Sequence, residues 1–216
     1  MSNSSLVTYT KISPCSSNPR SKKISKITIH HMAGNLSIER CGDVFAPLSR
    51  GGSSNYGIGS DGRIGMYVEE KNRAWTSSNA TNDNMAVTIE VANDGGAPNW
   101  HVSDKALASL IDLCTDICKR NGIKELNFTG DKNGNLTMHK YFAATACPGA
   151  YLESKFPYIA NEVNKRLNPK KVDTLGEDLN VLTAKGIINS PAYWKTKAPT
   201  VKYLPELIHN MAEKLK

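Results

Sequence analysis

Two short runs limit what this chain can fold into more than any other feature. Lys26-Ile27-Thr28-Ile29-His30-His31 and the stretch from Met85 to Ala92 are rich in β-branched apolar residues, with ionisable side chains near their C-terminal ends. Runs of this length and composition read as buried strands. Between and after them the period changes to that of a helix. Ile38, Cys41, Val44, Phe45 and Leu48 recur at helical spacing. So do Leu107, Leu110, Ile111, Cys114, Ile117 and Cys118, with Ser103 or Asp104 as the cap and Asn121-Gly122 as the stop. Tyr151 to Leu167 is a further amphipathic helix, in which Pro157 argues for a late start or a kink. Strands alternating with helices predict an α/β fold, a central mixed β-sheet flanked by helices.

The remaining segments fit around that frame. Residues 1 to 25 read as an extended lead-in to the first strand. Asn55 to Gly59 and Arg63 to Val68 form a hairpin through Ser60-Asp61-Gly62. Residues 70 to 85 read as an exposed loop, and Asn127 to Thr137 as a connection. Asn168-Pro169-Lys170-Lys171 is the expected linker, dividing a domain of residues 1–168 from a small C-terminal helical domain of residues 169–216. In the latter, Leu175, Leu179, Leu182, Ile187, Ile188, Tyr203, Leu204, Leu207, Ile208, Met211 and Leu215 predict two or three short helices. A bundle so small is marginal unless it packs on something.

Composition narrows the function classes. The 216 residues carry a formal charge of +7, which favours acidic partners. The charge is spread along the chain, with no dense basic run interleaved with aromatics, so nucleic acid is not the expected partner. The N-terminus shows no basic region leading into an apolar one, and nothing approaches a membrane-spanning length. No secretory signal and no stable membrane insertion are therefore expected, and synthesis is expected in the cytoplasm. Cys15, Cys41, Cys114, Cys118 and Cys147 are an odd set without a tight framework, as suits a reducing compartment. Cys114 and Cys118 read as buried free thiols on a helix face, and His101 and His209 as surface histidines.

The chemistry concentrates in His139 to Gly149. Imidazole and thiolate are both good zinc ligands, and Pro148-Gly149 offers a sharp turn to hold the sulfur of Cys147. His30, at the end of the first apolar run, is the best third ligand. Two imidazoles and one thiolate leave a fourth position to water, the mark of a catalytic rather than a structural zinc site.

These residues carry a resemblance. Ile27 to Ala33, Ser53 to Gly62, Arg73-Ala74-Trp75, Val87 to Val91 and His139 to Gly149 resemble, in order and spacing, the zinc-dependent N-acetylmuramoyl-L-alanine amidases, a family that includes many phage endolysins and is related to the peptidoglycan recognition proteins. The match spans roughly the first three quarters of the chain. It implies the same α/β fold and one Zn2+ ion held by His30, His139 and Cys147. His31 points to the opposite face of its strand, and His30 stands in the family's ligand column. The resemblance also implies Glu90 as catalytic base and Thr145 as a hydrogen-bonding partner of the developing oxyanion. A salt bridge at the sheet edge for Glu90 and a local backbone bond for Thr145 are the plainer readings. Asn55 and Trp75 are expected to contact substrate, Trp75 alternatively packing beneath its loop. The place of an active-site tyrosine found in some relatives is taken by Ser54, with Tyr56 two residues later.

The implied reaction is hydrolysis of the amide between N-acetylmuramic acid and L-alanine in bacterial peptidoglycan. The implied setting is a phage endolysin, made in the host cytoplasm and reaching the wall by holin-type release. A bacterial autolysin and a non-catalytic peptidoglycan-binding module are the alternatives. The C-terminal helices are expected to target the wall, dock on the first domain or form a homodimer.

Overall fold

Among residues 2–169 and 174–215, which the computed structural model describes, eight strands and seven α-helices follow one another. In chain order these are β1 (Tyr9–Thr10), β2 (Ser16–Ser17), β3 (Lys26–His31), α1 (Ile38–Phe45), β4 (Tyr56–Ile58), β5 (Ile64–Met66), β6 (Arg73–Ala74), α2 (Ala80–Met85), β7 (Ala86–Val91), α3 (Asp104–Asn121), β8 (Leu136–Met138) and α4 (Ala150–Leu167). Then come α5 (Thr174–Ala184), α6 (Pro191–Lys197) and α7 (Leu204–Glu213). Backbone contacts group them into two compact units, Met1–Asn168 and Pro169–Lys216. Lys170 and Lys171 of the expected linker lie outside the described residues.

The first unit is the expected α/β architecture. Its six-stranded sheet runs β1-β5-β4-β7-β3-β8. β4, β7, β3 and β8 are mutually parallel neighbours, and β5 turns back antiparallel to β4 through the Asp61-Gly62 hairpin. Both apolar runs are central strands: Ile27, Ile29, Val87, Ile89 and Val91 are all inaccessible to solvent. Helix α3 packs Leu110, Ile111, Cys114, Ile117 and Cys118 into the same core. Its start is fixed by Ser103, whose hydroxyl accepts from the Ala106 N–H at 3.1 Å. Its end is fixed by Gly122 at φ 70°, which takes the left-handed cap at no steric cost. Helix α1 is capped in the same way by Ser37.

Four expectations are corrected. Residues 1 to 25 are not a plain lead-in. β1 joins the main sheet and β2 pairs with β6. Residues 70 to 85 are not an exposed loop, since they contain β6 and α2, with Asn82 and Asp83 buried. The 127–137 connection ends in strand β8, too short for periodicity to register. Helix α4 begins at Ala150 and carries Pro157 inside it, so the proline does not delay its start.

Arg20 explains why the early segment is ordered. Its side chain is buried and donates to the carbonyls of Glu70, Asn72, Asp83, Asn84 and Ala86 at 2.6–3.2 Å. One planar, forked cation thus satisfies backbone acceptors from three segments, a task that suits guanidinium. Burial lowers its pKa to about 10, so it remains charged at neutral pH.

The second unit forms three helices around Leu179, Leu182, Ala198, Ile208 and Ala212. His209 Nδ1 and Asp178 Oδ2, 2.9 Å apart, tie α7 to α5. No helix among the described residues is long and apolar enough to cross a membrane.

Candidate active site

Register builds the site. Ile29 is paired with Ile89 on one side and with Met138 on the other. The next residue of each parallel strand is therefore Glu90, His30 or His139, in one row at the carboxyl ends of β7, β3 and β8. Side chains in register on parallel strands share a face, and the carboxyl edge of such a sheet is where α/β proteins place their chemistry. Two residues earlier, on that same face, lies a row of threonines, Thr88, Thr28 and Thr137. Thr28 and Thr137 are joined hydroxyl to hydroxyl at 2.9 Å. The repeated sequence Thr-apolar-His/Glu (Thr28-Ile29-His30, Thr88-Ile89-Glu90, Thr137-Met138-His139) is the signal from which the row could have been read.

The loop after β8 closes on this edge. The Lys140 N–H donates to the Cys147 carbonyl at 3.1 Å, and the Cys147 N–H to the Thr145 hydroxyl at 3.2 Å. The Cys147 sulfur accepts from the His31 N–H at 3.3 Å. As a result, the ligand atoms of His30, His139 and Cys147 all lie within 4.8 Å of one another. The two imidazole rings are 4.5 Å apart between centroids.

The electrostatics fit a cation. Burial and the neighbouring imidazoles hold His30 well below the ordinary histidine range, and burial lowers His139 as well. Both rings are therefore neutral near pH 7, the form that ligates metals. Nε2 of His30, Nε2 of His139 and Oε2 of Glu90 are enclosed without a hydrogen-bond partner. Such orphaned buried groups are rare in a native fold. Two inward lone pairs beside a buried sulfur are the donor set of zinc, and these residues fit that ion. Burial pushes the Cys147 thiol up and the Glu90 carboxyl to about 8.

A cleft of about 650 Å3 opens over the row. Met32, Leu36, Val44 and Phe45 give it an apolar wall, and Arg50 and Arg73 bring two cations to it. Trp75 and Thr145 both line it. The Trp75 indole is half-buried, with its N–H donating to Ser17 at 2.9 Å, so it follows a short strand and is not in a free loop. Asn55 does not reach the cleft, which corrects its expected role in substrate contact. It is fully buried, its amide N–H donating to the Val68 carbonyl at 3.1 Å while its oxygen accepts from the Thr88 N–H at 3.1 Å. Asn55 is a support for the threonine row.

Ser54 and Tyr56 are also core residues. Ser54 donates to the Thr88 carbonyl, and Tyr56 donates to Glu70 at 2.7 Å. His31 borders the cleft along with His30, because it ends its strand. Asp83, buried and lining the cleft, was not singled out from the sequence. It accepts from the N–H groups of Thr76 and Ser77 and from the Ser77 hydroxyl, and so shapes one rim.

An α/β sheet ending in two imidazoles, a thiol and an unpaired carboxylate, beneath an open cleft, has the layout of an amide hydrolase. The family model described as N-acetylmuramoyl-L-alanine amidase matches residues 20–150. The chain belongs to that family, and its enzymatic activity is that of a peptidoglycan amidase. Among solved structures, it is similar to a mutant of PlyL, at 14% identity and TM-score 0.57, over 72% of this chain and 96% of that one. It is also similar to the endolysin amidase LysCS from Clostridium intestinale, at 23% identity and TM-score 0.52, over 75% and 93%. A third is AmpD, at 16% and 0.56, over 73% and 96%. At these identities the likeness concerns the fold. No curated protein matches the chain in sequence.

Proposed function

We propose that the chain is a zinc-dependent N-acetylmuramoyl-L-alanine amidase that cuts the bond between the lactyl group of N-acetylmuramic acid and L-alanine, acting as a phage endolysin. The observation that carries the zinc reading is the convergence of His30, His139 and Cys147 donors within 4.8 Å, with both imidazole Nε2 atoms left without partners. A zinc ion held there supplies Lewis acidity, polarising the amide carbonyl and making water a better nucleophile near neutral pH. Glu90, next to His30 in the row, is the general base. Its Oε2 takes a proton from the attacking water and delivers it to the leaving nitrogen of L-alanine. In the metal-free protein burial lifts this carboxyl toward neutrality, the direction that lets one group both take up a proton and release it. Thr145 offers its hydroxyl to the developing oxyanion, a weaker partner than an ammonium. Trp75 forms a wall for glycan or stem peptide, and Arg50 and Arg73 suit the carboxylates of the stem.

The endolysin role is supported by the likeness to LysCS, and a bacterial autolysin is its alternative. A recognition module without hydrolysis is disfavoured by the retention of all three donors together with Glu90. The C-terminal unit is assigned to wall targeting or self-association, and its boundary with the catalytic domain to Asn168–Pro169. The test is digestion of purified peptidoglycan, read by mass spectrometry for newly exposed N-terminal alanine. Cleavage should stop with a chelator and return with zinc. Undiminished cleavage by metal-free Cys147→Ser protein would defeat the zinc reading, and binding without any new amino terminus would favour the recognition module.

A further inference from the structure

We propose that Trp100 is a positioning residue for the metal centre, the wedge that sets how the Cys147 loop meets the strand carrying His30. This rests on the zinc reading above. Trp100 has φ 55°, a left-handed conformation that a bulky residue adopts only when its surroundings impose it. Those surroundings are specific. Its N–H donates to the Gly96 carbonyl at 2.9 Å, and its carbonyl accepts from the buried amide of Asn93 at 2.9 Å. Asn93 is itself anchored, its N–H donating to the Gly34 carbonyl at 3.0 Å just beyond the end of β3. The preceding carbonyl, of Asn99, accepts from the N–H of Tyr151 at the start of α4 at 3.0 Å.

So held, the indole touches both halves of the site. It meets the His31 ring edge to face, with centroids 5.0 Å apart and planes at 85°. His31 follows His30 and gives its N–H to the Cys147 sulfur. Trp100 also lies against Gly149, two residues past Cys147. A Cβ on Gly149 would come within 2.7 Å of Trp100 Cβ and 3.1 Å of its Cγ. Gly149 therefore has two reasons to be glycine: a φ of 87° and the close approach of Trp100. The side chain that occupies a strained backbone is thus clamped between the strand delivering one ligand and the turn delivering another. Groups that touch no metal but orient its ligands in this way control affinity and coordination geometry.

The test uses the full chain with Trp100→Ala, Trp100→Phe and, as reference, Cys147→Ser. Zinc affinity is measured by competition with a chelator. Cobalt-substituted protein is read by its visible spectrum, and the fold by the melting temperature of the metal-free form. Trp100→Ala should weaken zinc by about 10- to 100-fold and change the cobalt band envelope, with the metal-free melting temperature little altered. Trp100→Phe, which keeps a ring against His31 and Gly149, should restore most of the affinity. Parental affinity and an unchanged cobalt spectrum in Trp100→Ala would overturn the proposal while leaving the zinc site standing. So would an affinity loss in both variants that only tracks a fall in metal-free stability. A parent chain that binds no zinc would sink the metal reading and this one with it.

Discussion

His30 and Glu90 are direct partners in the parallel pairing of β3 with β7, so an imidazole and a carboxylate stand side by side on one face of the sheet. Their separation is fixed by backbone hydrogen bonds and not by loops, the arrangement that best preserves catalytic geometry. Glu90 keeps one oxygen enclosed and unpaired, which structural economy alone does not account for.

Glu90→Gln should therefore separate chemistry from metal binding. The amide is nearly isosteric and cannot accept the proton, so amidase turnover should fall by about 10²- to 10⁴-fold. Zinc content, measured by metal analysis, should match the parent. Retention of more than a tenth of the parental rate would remove Glu90 from its assigned role.

In the metal-free protein, pH should act on stability from two sides. Burial lifts Glu90 from its ordinary 4.5 to about 8. Its contribution is full below about 4.5 and is lost as pH rises toward 8, no more steeply than about 1.4 kcal/mol per pH unit. His30, held well below 6.5, contributes stability that is present above 6.5 and lost as pH falls. Denaturant titrations across this range should show Glu90→Gln removing the decline between about pH 4.5 and 8 while the histidine-linked loss on acidification remains. A pH dependence of the same slope in both proteins between about pH 4.5 and 8 would contradict the assignment.

Zinc should stabilise the chain more at pH 8 than at pH 5.5. Ligation requires neutral imidazoles and a thiolate, so protons compete with the metal at His30, His139 and Cys147. The rise in melting temperature on adding zinc, taken at both pH values, checks this. A shift that is equal at both, or larger in acid, would speak against a histidine and cysteine site.

Arg20 should matter to folding without touching the cleft. Arg20→Ala leaves the carbonyls of Glu70, Asn72, Asp83, Asn84 and Ala86 without their common donor. The expected loss is at least about 3 kcal/mol of unfolding free energy. Arg20→Lys should recover little, because a single ammonium cannot reach acceptors arranged for a fork. Chemical denaturation measures both, and a loss under 1 kcal/mol in Arg20→Ala would show that the carbonyls find other partners.

Truncation after Asn168 tests the second unit. If the three-helix unit targets the wall, the shortened chain should keep its rate on small soluble muropeptides while losing affinity for intact wall. If it associates, the number of chains per particle in solution should fall. Lysis, wall binding and association state all unchanged would leave the unit with neither role.

The sequence by itself determined the central strands and the two capped helices α1 and α3, and it marked His30, His139 and Cys147 as candidate metal donors. Apolar β-branched runs, caps and ligand chemistry are local properties. It did not determine what Asn55 does, since a polar residue in a hairpin reads alike whether it faces a cleft or supports a threonine row. Nor did it reveal Arg20 or Trp100, whose partners are scattered along the chain and meet them only after folding. Strand β8 escaped because three residues are too few to show a period, yet pairing it beside β3 is what brings His139 next to His30. That last step belongs to the tertiary structure alone, because register between strands over a hundred residues apart is set by how whole faces pack and not by either strand's own composition.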